Sequence, residues 1–283
     1  MMHPKSDGIL TVPGAKLHYQ MRGTGPLLVL IAGGDGDADA SAALADRLTG
    51  RYTVLTYDRR GLSRSTIDDP AQPLTITTHA DDVHHLLAAL AHEPALVYGS
   101  SLGALISLEL VARHPEQVRV VVAHEPPATQ LLPEWERDEA STAQREIEEA
   151  YRAEGAFGAL GKFMGLAGID PADREEDVEL KPLGPERLRN LEFFLAHDAP
   201  AVRRHRLDLD ALASAGTRIV PGAGASTGPN MPYRCAVLLA EALGTPYEVF
   251  PGGHNGSVFR PKAFAERLNE VFSTASDQQI EVI

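Results

Sequence analysis

The sequence predicts an α/β fold: a mostly parallel sheet of eight strands, helices on both faces of the sheet, and a helical segment inserted between two strands. Three observations lead to this prediction. Short runs rich in β-branched residues alternate with helical patterns over residues 8–123. The run 27–31 is apolar at every position, as expected for a strand buried on both faces. The alternation stops near residue 128 and resumes near residue 217.

The eight predicted strands begin with two early strands within residues 8–22, joined by a turn near Pro13 and Gly14. The other six strands are expected at 27–31, 52–57, 95–98, 118–123, 217–221 and 247–250. A capping box formed by Thr78 and Asp81 predicts the start of the first long helix. Further helices are expected at 103–114, 233–243 and 261–273.

The segment 128–208 has helical patterns and no convincing strand pattern. Because it interrupts a regular alternation, we assign residues 1–127 and 209–283 to one α/β core and residues 128–208 to an inserted helical cap. The pattern is compatible with a cap over an active site and with a surface elaboration that has no part in catalysis. We follow the first interpretation.

The composition limits the partners that we expect. The chain has 283 residues and a formal net charge of −13, which disfavours nucleic acid and anionic lipid as partners. Its single cysteine, Cys235, can form no internal disulfide, and residues 1–10 contain no apolar run typical of a signal peptide. The longest aliphatic run, 27–32, is too short to span a bilayer. We therefore expect a cytoplasmic protein that acts on a small molecule, with monomer and homodimer both open.

The strongest local signal is the segment Gly99–Gly103, which reads Gly-Ser-Ser-Leu-Gly. It matches G-x-S-x-G in full, and it follows a predicted strand and opens a predicted helix, which is the context this motif needs. Such a sharp turn exposes the central serine at the carboxyl edge of the sheet, beside the positive end of the following helix. Ser101 is therefore the predicted nucleophile, and only Ser101 has a glycine two positions away on both sides.

A serine nucleophile needs a base, and His254 is the histidine in the right place. It follows the last predicted strand in a Gly-Gly-His loop, so it should reach the same edge of the sheet as Ser101. The alternative is a loop histidine without a catalytic role. Four other histidines lie on or beside the first long helix and are expected at the surface: His79, His84, His85 and His92. No spacing of ligands indicates a metal site, and we expect neither a metal nor a cofactor.

These features together resemble the α/β-hydrolase superfamily. The resemblance rests on the order of the elements, the G-x-S-x-G turn, the segment 58–65 (Asp-Arg-Arg-Gly-Leu-Ser-Arg-Ser) and the late Gly-Gly-His. It covers nearly the whole chain outside the cap, and it implies a Ser–His–acid triad. Most members of the superfamily carry the acid just after the first strand beyond the cap. Residues 217–240 contain no Asp or Glu, so this usual position is empty here.

Glu125 is the alternative acid, because it directly follows the strand 118–123 and so reaches the same sheet edge as Ser101 and His254. The sequence resembles superfamily members, including certain haloalkane dehalogenases, whose acid follows this strand. In this role Glu125 would orient His254 and stabilise its imidazolium form. Two alternatives stay open. Glu125 could pair with a cap arginine such as Arg203 or Arg204, or an aspartate at the end of the cap, Asp208 or Asp210, could approach His254 instead.

An oxyanion hole needs two backbone N–H groups, and Leu102 should supply one as the residue after the nucleophile. The resemblance implies that the other comes from the loop after the strand 27–31. By position the donor is Gly34, although Ala32 stands where similar proteins usually have His. We expect five residues to contact the substrate: Gly33, which precedes Gly34, and four large apolar residues of the cap. The four cap residues are Phe157, Phe163, Met164 and Phe194.

The reaction expected from these residues is acyl transfer to water, with an ester, thioester or lactone of a hydrophobic small molecule as substrate. A vinylogous carbon–carbon bond is also open. A serine nucleophile argues against dehalogenation and epoxide hydrolysis, for which the superfamily uses Asp. Two other classes of function stay open, because fold does not fix function. One is a lyase or cyclase that uses the triad as acid and base, and the other is a ligand-binding receptor on the same scaffold.

Overall fold

A computed structural model describes residues 5–180 and 182–277 of the chain. It has nine strands: β1 (Lys5–Val12), β2 (Ala15–Gly23), β3 (Leu27–Ile31), β4 (Thr53–Tyr57), β5 (Thr66–Ile67), β6 (Ala95–Ser100), β7 (Val118–His124), β8 (Arg218–Gly224) and β9 (Glu248–Phe250). The helices of the core are α1 (Ala42–Leu48), α2 (Ile76–Leu90), α3 (Leu102–Arg113), α7 (Leu209–Ser214), α8 (Met231–Leu243), α9 (Gly256–Phe259) and α10 (Pro261–Asp277).

The strands form a single sheet in the order β1-β2-β4-β3-β6-β7-β8-β9. The pairs β1–β2 and β2–β4 are antiparallel, and all the pairs from β4 to β9 along this order are parallel. The carboxyl ends of β3, β6, β7, β8 and β9 therefore lie along one edge. This edge carries the loops that contain the candidate catalytic residues.

Apolar side chains cover both faces of the sheet, which explains why the central strands are apolar at nearly every position. One buried cluster joins the sheet to α2, α3 and α8 and continues into residues of the cap such as Ile147 and Leu191. The other joins the opposite face to α1 and α10 through residues such as Leu48, Phe250 and Phe264. Burial of this apolar surface is the main driving force for the fold.

The prediction of an α/β fold is confirmed, and two details of it are wrong. The sheet has nine strands, because Thr66 and Ile67 pair with β2; two residues are too few to show the alternation that identifies a strand in sequence. The first long helix begins at Ile76, before the predicted capping box. Thr75 caps it by accepting a hydrogen bond from the Thr78 N–H (3.0 Å).

Between β7 and β8 the described chain contains helices and connecting segments. They are α4 (Glu134–Ala167), α5 (Pro185–Phe193), a π-helical turn (Phe194–Asp198) and α6 (Ala199–Arg204). Gly155 interrupts α4 with a φ of 72° and a ψ of −166°, so α4 consists of two halves that meet at a kink. We call residues 128–208 the cap, as in the sequence assignment. None of the helices that the structure describes has the length and apolar character needed to cross a membrane.

Candidate active site

Ser101 occupies the sharp turn between β6 and α3. Its φ of 55° and ψ of −118° are rare for a residue with a side chain, and strain of this kind is typical of functional positions. The Ser101 N–H donates to the His124 carbonyl (2.8 Å), which fixes the turn. Gly99 and Gly103 are needed because an added Cβ would lie 2.3 Å and 2.1 Å, respectively, from a backbone carbonyl oxygen. The motif is therefore explained by close backbone packing around a strained serine.

His254 and Glu125 meet at the same edge of the sheet. The His254 Nδ1 lies 2.7 Å from the Glu125 Oε2, and both side chains are buried. The other carboxylate oxygen, Oε1, accepts hydrogen bonds from the Gly224 N–H (2.7 Å) and from the Thr227 hydroxyl (2.6 Å). Three donors thus hold the carboxylate in one orientation. The second ring nitrogen of His254 is left for the cavity that His254 and Ser101 both line.

Electrostatics keep Glu125 ionised in this buried position. Burial raises its pKa, but the hydrogen bonds from His254 and Thr227 and the neighbouring imidazoles more than offset that effect. The result is a pKa of about 2, below the ordinary value of 4.5. Glu125 also has a left-handed φ of 49°, and its N–H donates to the Gly222 carbonyl (2.9 Å). A second strained residue therefore lies in the site beside Ser101.

The alternative partners that the sequence left open for Glu125 and His254 make other contacts or face solvent, and Arg204 is exposed. Arg203 pairs with Glu148, a residue of the cap. Asp208 caps α7 by accepting from the Ala211 N–H (2.9 Å), and Asp210 is exposed.

The loop after β3 passes directly beside the nucleophile. A Cβ added to Gly33 would lie 2.9 Å from the Ser101 Cβ and 2.7 Å from the Ser100 carbonyl oxygen, so only glycine allows this approach. Gly34 follows with a φ of 47°, and Leu102 is the first residue of α3. The two expected oxyanion donors therefore belong to segments that adjoin Ser101.

A partly enclosed cavity lies between the cap and the core. Ser101, Leu102 and His254 line its core side. Most of the cap side is apolar and includes Ile147, Tyr151, Phe163, Leu166, Phe194, Leu195 and Val202. A site of this kind suits a small, mostly apolar molecule.

Of the five substrate-binding candidates, two line the cavity and three do not. Phe163 and Phe194 line the cavity, and their rings pack edge to face at 5.3 Å. Phe157 does not line the cavity, and its side chain is 64% exposed on the surface of the cap. Met164 and Gly33 also lie outside the cavity lining; Met164 precedes the lining pair Leu166 and Ala167 on α4, and Gly33 packs behind Ser101.

Three polar features of the site were missed by sequence reasoning. Thr227 lies near the empty acid position and binds Glu125 instead of replacing it. The ion pair of Arg203 and Glu148 lies in the cavity wall. His79, expected at the surface, is buried, and its Nε2 lies 3.0 Å from the Oδ1 of Asp198, a cap residue. Each contact joins segments far apart in sequence, so no local pattern could have indicated it.

Comparisons with known proteins agree with this fold. A family described as alpha/beta hydrolase fold matches residues 26–155. The uncharacterized hydrolase YraK of Bacillus subtilis (strain 168) is 40% identical over 270 residues, which cover 94% of this chain and 96% of that protein. Zearalenone hydrolase of Cladophialophora bantiana is 27% identical over 281 residues, which cover 93% of this chain and 94% of that protein.

Among solved structures, a hydrolase from Pseudomonas aeruginosa PA01 superimposes with a TM-score of 0.70 at 24% sequence identity. The match covers 93% of this chain and 96% of that one. At this level of identity the likeness concerns the fold.

Proposed function

The chain belongs to the α/β-hydrolase family, and on this basis we propose that it is a serine hydrolase that cleaves an ester-type bond through an acyl-enzyme on Ser101. The observation that carries the proposal is the contact of the His254 Nδ1 with the ionised Glu125 (2.7 Å) beside a strained serine that lines the same cavity. Nucleophile, base and orienting acid then come from the ends of three parallel strands.

In the acylation step, the Ser101 hydroxyl oxygen attacks the carbonyl carbon while His254 takes its proton on the ring nitrogen that does not face Glu125. The imidazolium that forms is stabilised by the adjacent carboxylate. Because the pKa of Glu125 is about 2, this negative charge is present at any pH near neutral. The proton then passes from His254 to the departing alcohol or thiol, and the acyl group stays on Ser101.

The developing oxyanion needs donors that are already in place. The N–H groups of Leu102 and Gly34 are our candidates, because one starts the helix after Ser101 and the other belongs to the glycine loop that packs on Ser101. In the second half of the reaction, His254 activates a water molecule that attacks the acyl-enzyme through the same oxyanion geometry. Release of the acid regenerates the free serine.

The substrate class follows from the cavity. Its lining is largely apolar, and the charged side chains Arg203 and Glu148 in its wall are paired with each other. A carboxylate on the substrate would meet Glu148 next to Arg203, so a free acid gains little there. We therefore infer an uncharged, largely apolar ester, thioester or lactone.

The test is hydrolysis of a series of activated esters by Ser101→Ala, with Ser100→Ala as the matched control. The first variant should retain less than about a thousandth of the wild-type kcat and keep the wild-type melting temperature, because only the covalent step is lost. Ser100→Ala removes the neighbouring hydroxyl and should stay active. If Ser101→Ala retains more than that fraction, Ser101 is not the nucleophile.

A further inference from the structure

A buried charged cluster that the reaction itself does not use contacts the loop between β3 and α1 (residues 32–41), which we call the oxyanion loop. It consists of Arg59 after β4, His79 on α2 and Asp198 in the π-helical turn of the cap, and all three side chains are at most 1% exposed. The Asp198 Oδ2 lies 3.2 Å from an Arg59 guanidinium nitrogen, and its Oδ1 lies 3.0 Å from the His79 Nε2. Burial raises the pKa of Asp198, but His79 and Arg59 lower it overall, so the carboxyl is charged. Burying the Asp198 carboxylate and the Arg59 guanidinium is costly unless they are paired, as they are here.

The two terminal nitrogens of Arg59 also reach the loop after β3. They donate to the carbonyl oxygens of Ala32 (2.9 Å), Gly36 (3.3 Å) and Gly34. One guanidinium thus binds three carbonyls within the stretch 32–36 of this loop. A planar group with fixed donor directions can hold a backbone loop in one conformation, which a lysine could not do equally well.

The orientation of the Gly34 N–H follows from these contacts. The Gly33 carbonyl accepts a hydrogen bond from the Gly36 N–H (2.9 Å) within the loop. In a trans peptide the N–H points away from the carbonyl, so the Gly34 N–H faces away from the loop interior. Arg59 secures the peptides on both sides of this one, through the carbonyls of Ala32 and Gly34.

The cap reaches the same loop at two more points. Arg187 of α5 donates to the Asp35 Oδ2 (2.8 Å). Asn190 accepts from the Ser63 N–H (3.0 Å), and the Ser63 hydroxyl in turn donates to the Asp37 Oδ2 (2.7 Å). Segment 187–198 of the cap therefore contacts the oxyanion loop directly or through one intervening residue. Among these contacts, only that of Asp198 with Arg59 has both partners fully buried.

We propose that Arg59 and Asp198 are positioning residues that couple the docked cap to the oxyanion hole. When Asp198 is in place, Arg59 is held under the loop and keeps the Gly34 N–H directed at the reacting carbonyl. Loss of the Asp198 contact leaves Arg59 free to shift, and the loop loses its catalytic conformation. This inference rests on the proposed function, because it assigns a task to Gly34 in that reaction.

The variants are Asp198→Asn, which keeps the shape and removes the charge, and Arg59→Lys, which keeps the charge and removes the fork of donors. Asp82→Asn is the matched control. It breaks the neighbouring buried pair of Asp82 and Arg60, which makes no contact with the oxyanion loop. If Asp198→Asn does not fold, the same measurements on Arg59→Lys test the proposal.

The first readout is kinetic. Both test variants should lower kcat about 10- to 100-fold with KM changed less than about threefold, somewhat less than the loss of an oxyanion donor itself. They should also reduce the preference for an oxoester over its thionoester, because sulfur is a weaker acceptor and gains less from a well-placed N–H. A purely structural role would lower stability and leave this preference unchanged, as we expect for Asp82→Asn.

The second readout is independent of activity. Deuterium uptake by the peptide that covers residues 32–38 should be at least about tenfold faster in Asp198→Asn and unchanged in Asp82→Asn, because the Gly36 N–H loses its protection. Unchanged uptake together with an unchanged oxoester preference would overturn the inference. If uptake rises while the wild-type protein cleaves no ester, the proposed function fails and the coupling of cap and loop stands.

Discussion

The two sides of the cavity are built differently. On the core side, backbone geometry fixes Ser101 and Glu125: both have positive φ values, and the Glu125 carboxylate accepts from the Gly224 N–H. Glu125 in turn holds His254. On the cap side, the wall consists of side chains from α4, the π-helical turn and α6, packed on one another. The proposed reactive groups are thus held at the edge of the sheet, whereas the helices of the cap set the shape of the cavity.

This difference separates chemistry from selectivity. A change at the sheet edge should alter the rate for every substrate alike, since each must pass through the same reacting atoms. A change in the cap wall should alter the relative rates of large and small substrates. The following predictions test this division, beginning with the largest expected effect.

Glu125→Gln should lower kcat by about 10²- to 10⁴-fold for all ester substrates, because the amide cannot stabilise the imidazolium. Exposed Glu241→Gln on α8 is the control and should be neutral. A rate within about fivefold of wild type would exclude Glu125 as the orienting acid.

Glu125 should also make the stability of the protein depend on pH. Its pKa of about 2 in the folded chain lies below the ordinary value of 4.5. A carboxyl with a lowered pKa contributes stability that is complete above the ordinary pKa and is lost as the pH falls through the folded value. The contribution is about 3 kcal/mol and should disappear between pH 4.5 and pH 2. Urea unfolding of wild type should therefore lose stability more steeply in this range than Glu125→Gln does, and parallel curves would contradict the lowered pKa.

Phe194→Ala should open the cap side of the cavity, because the ring is buried against Phe163 in its wall. We expect KM for esters with long or branched apolar groups to rise about tenfold, while kcat/KM for acetyl esters changes less than about threefold. Phe157→Ala on the exposed surface of the cap is the matched control. An equal loss for acetyl and long-chain esters would break the division between cap and core.

Thr227→Val should lower kcat about 3- to 10-fold, the smallest effect of the series, because it removes one of three hydrogen bonds to the Glu125 carboxylate. Thr227→Ser keeps the hydroxyl and should restore most of the rate. Ser226→Ala, one residue away and exposed, should have less effect. A Thr227→Val rate equal to wild type would mean that the other two donors hold Glu125 alone.

The core side of the site could be predicted from sequence because parallel strands share one carboxyl edge. Ser101, Glu125 and His254 each follow a strand with a readable apolar pattern, so their meeting followed from strand order. The contact of Thr227 with Glu125 could not be predicted, since it depends on the conformation of the loop after β8.

The cap was harder for a physical reason. Phe157 and Phe163 lie on the same half of α4, after Gly155, yet only Phe163 lines the cavity, because six helical residues place the two side chains about 120° apart around the helix axis. His79 looked like a surface residue since its partner Asp198 lies 119 positions away. Periodicity identifies which face of a helix is apolar, and it does not tell which neighbour that face meets.

The most direct test of the central claim is labelling with a fluorophosphonate while ester hydrolysis is followed in the same sample. Ser101 should carry one phosphonyl group per chain, identified by mass spectrometry of its peptide, and activity should fall in proportion to labelling. Ser100→Ala should label normally, and Ser101→Ala should not label at all. Full activity in a fully labelled protein, or a label on any residue other than Ser101, would contradict the account.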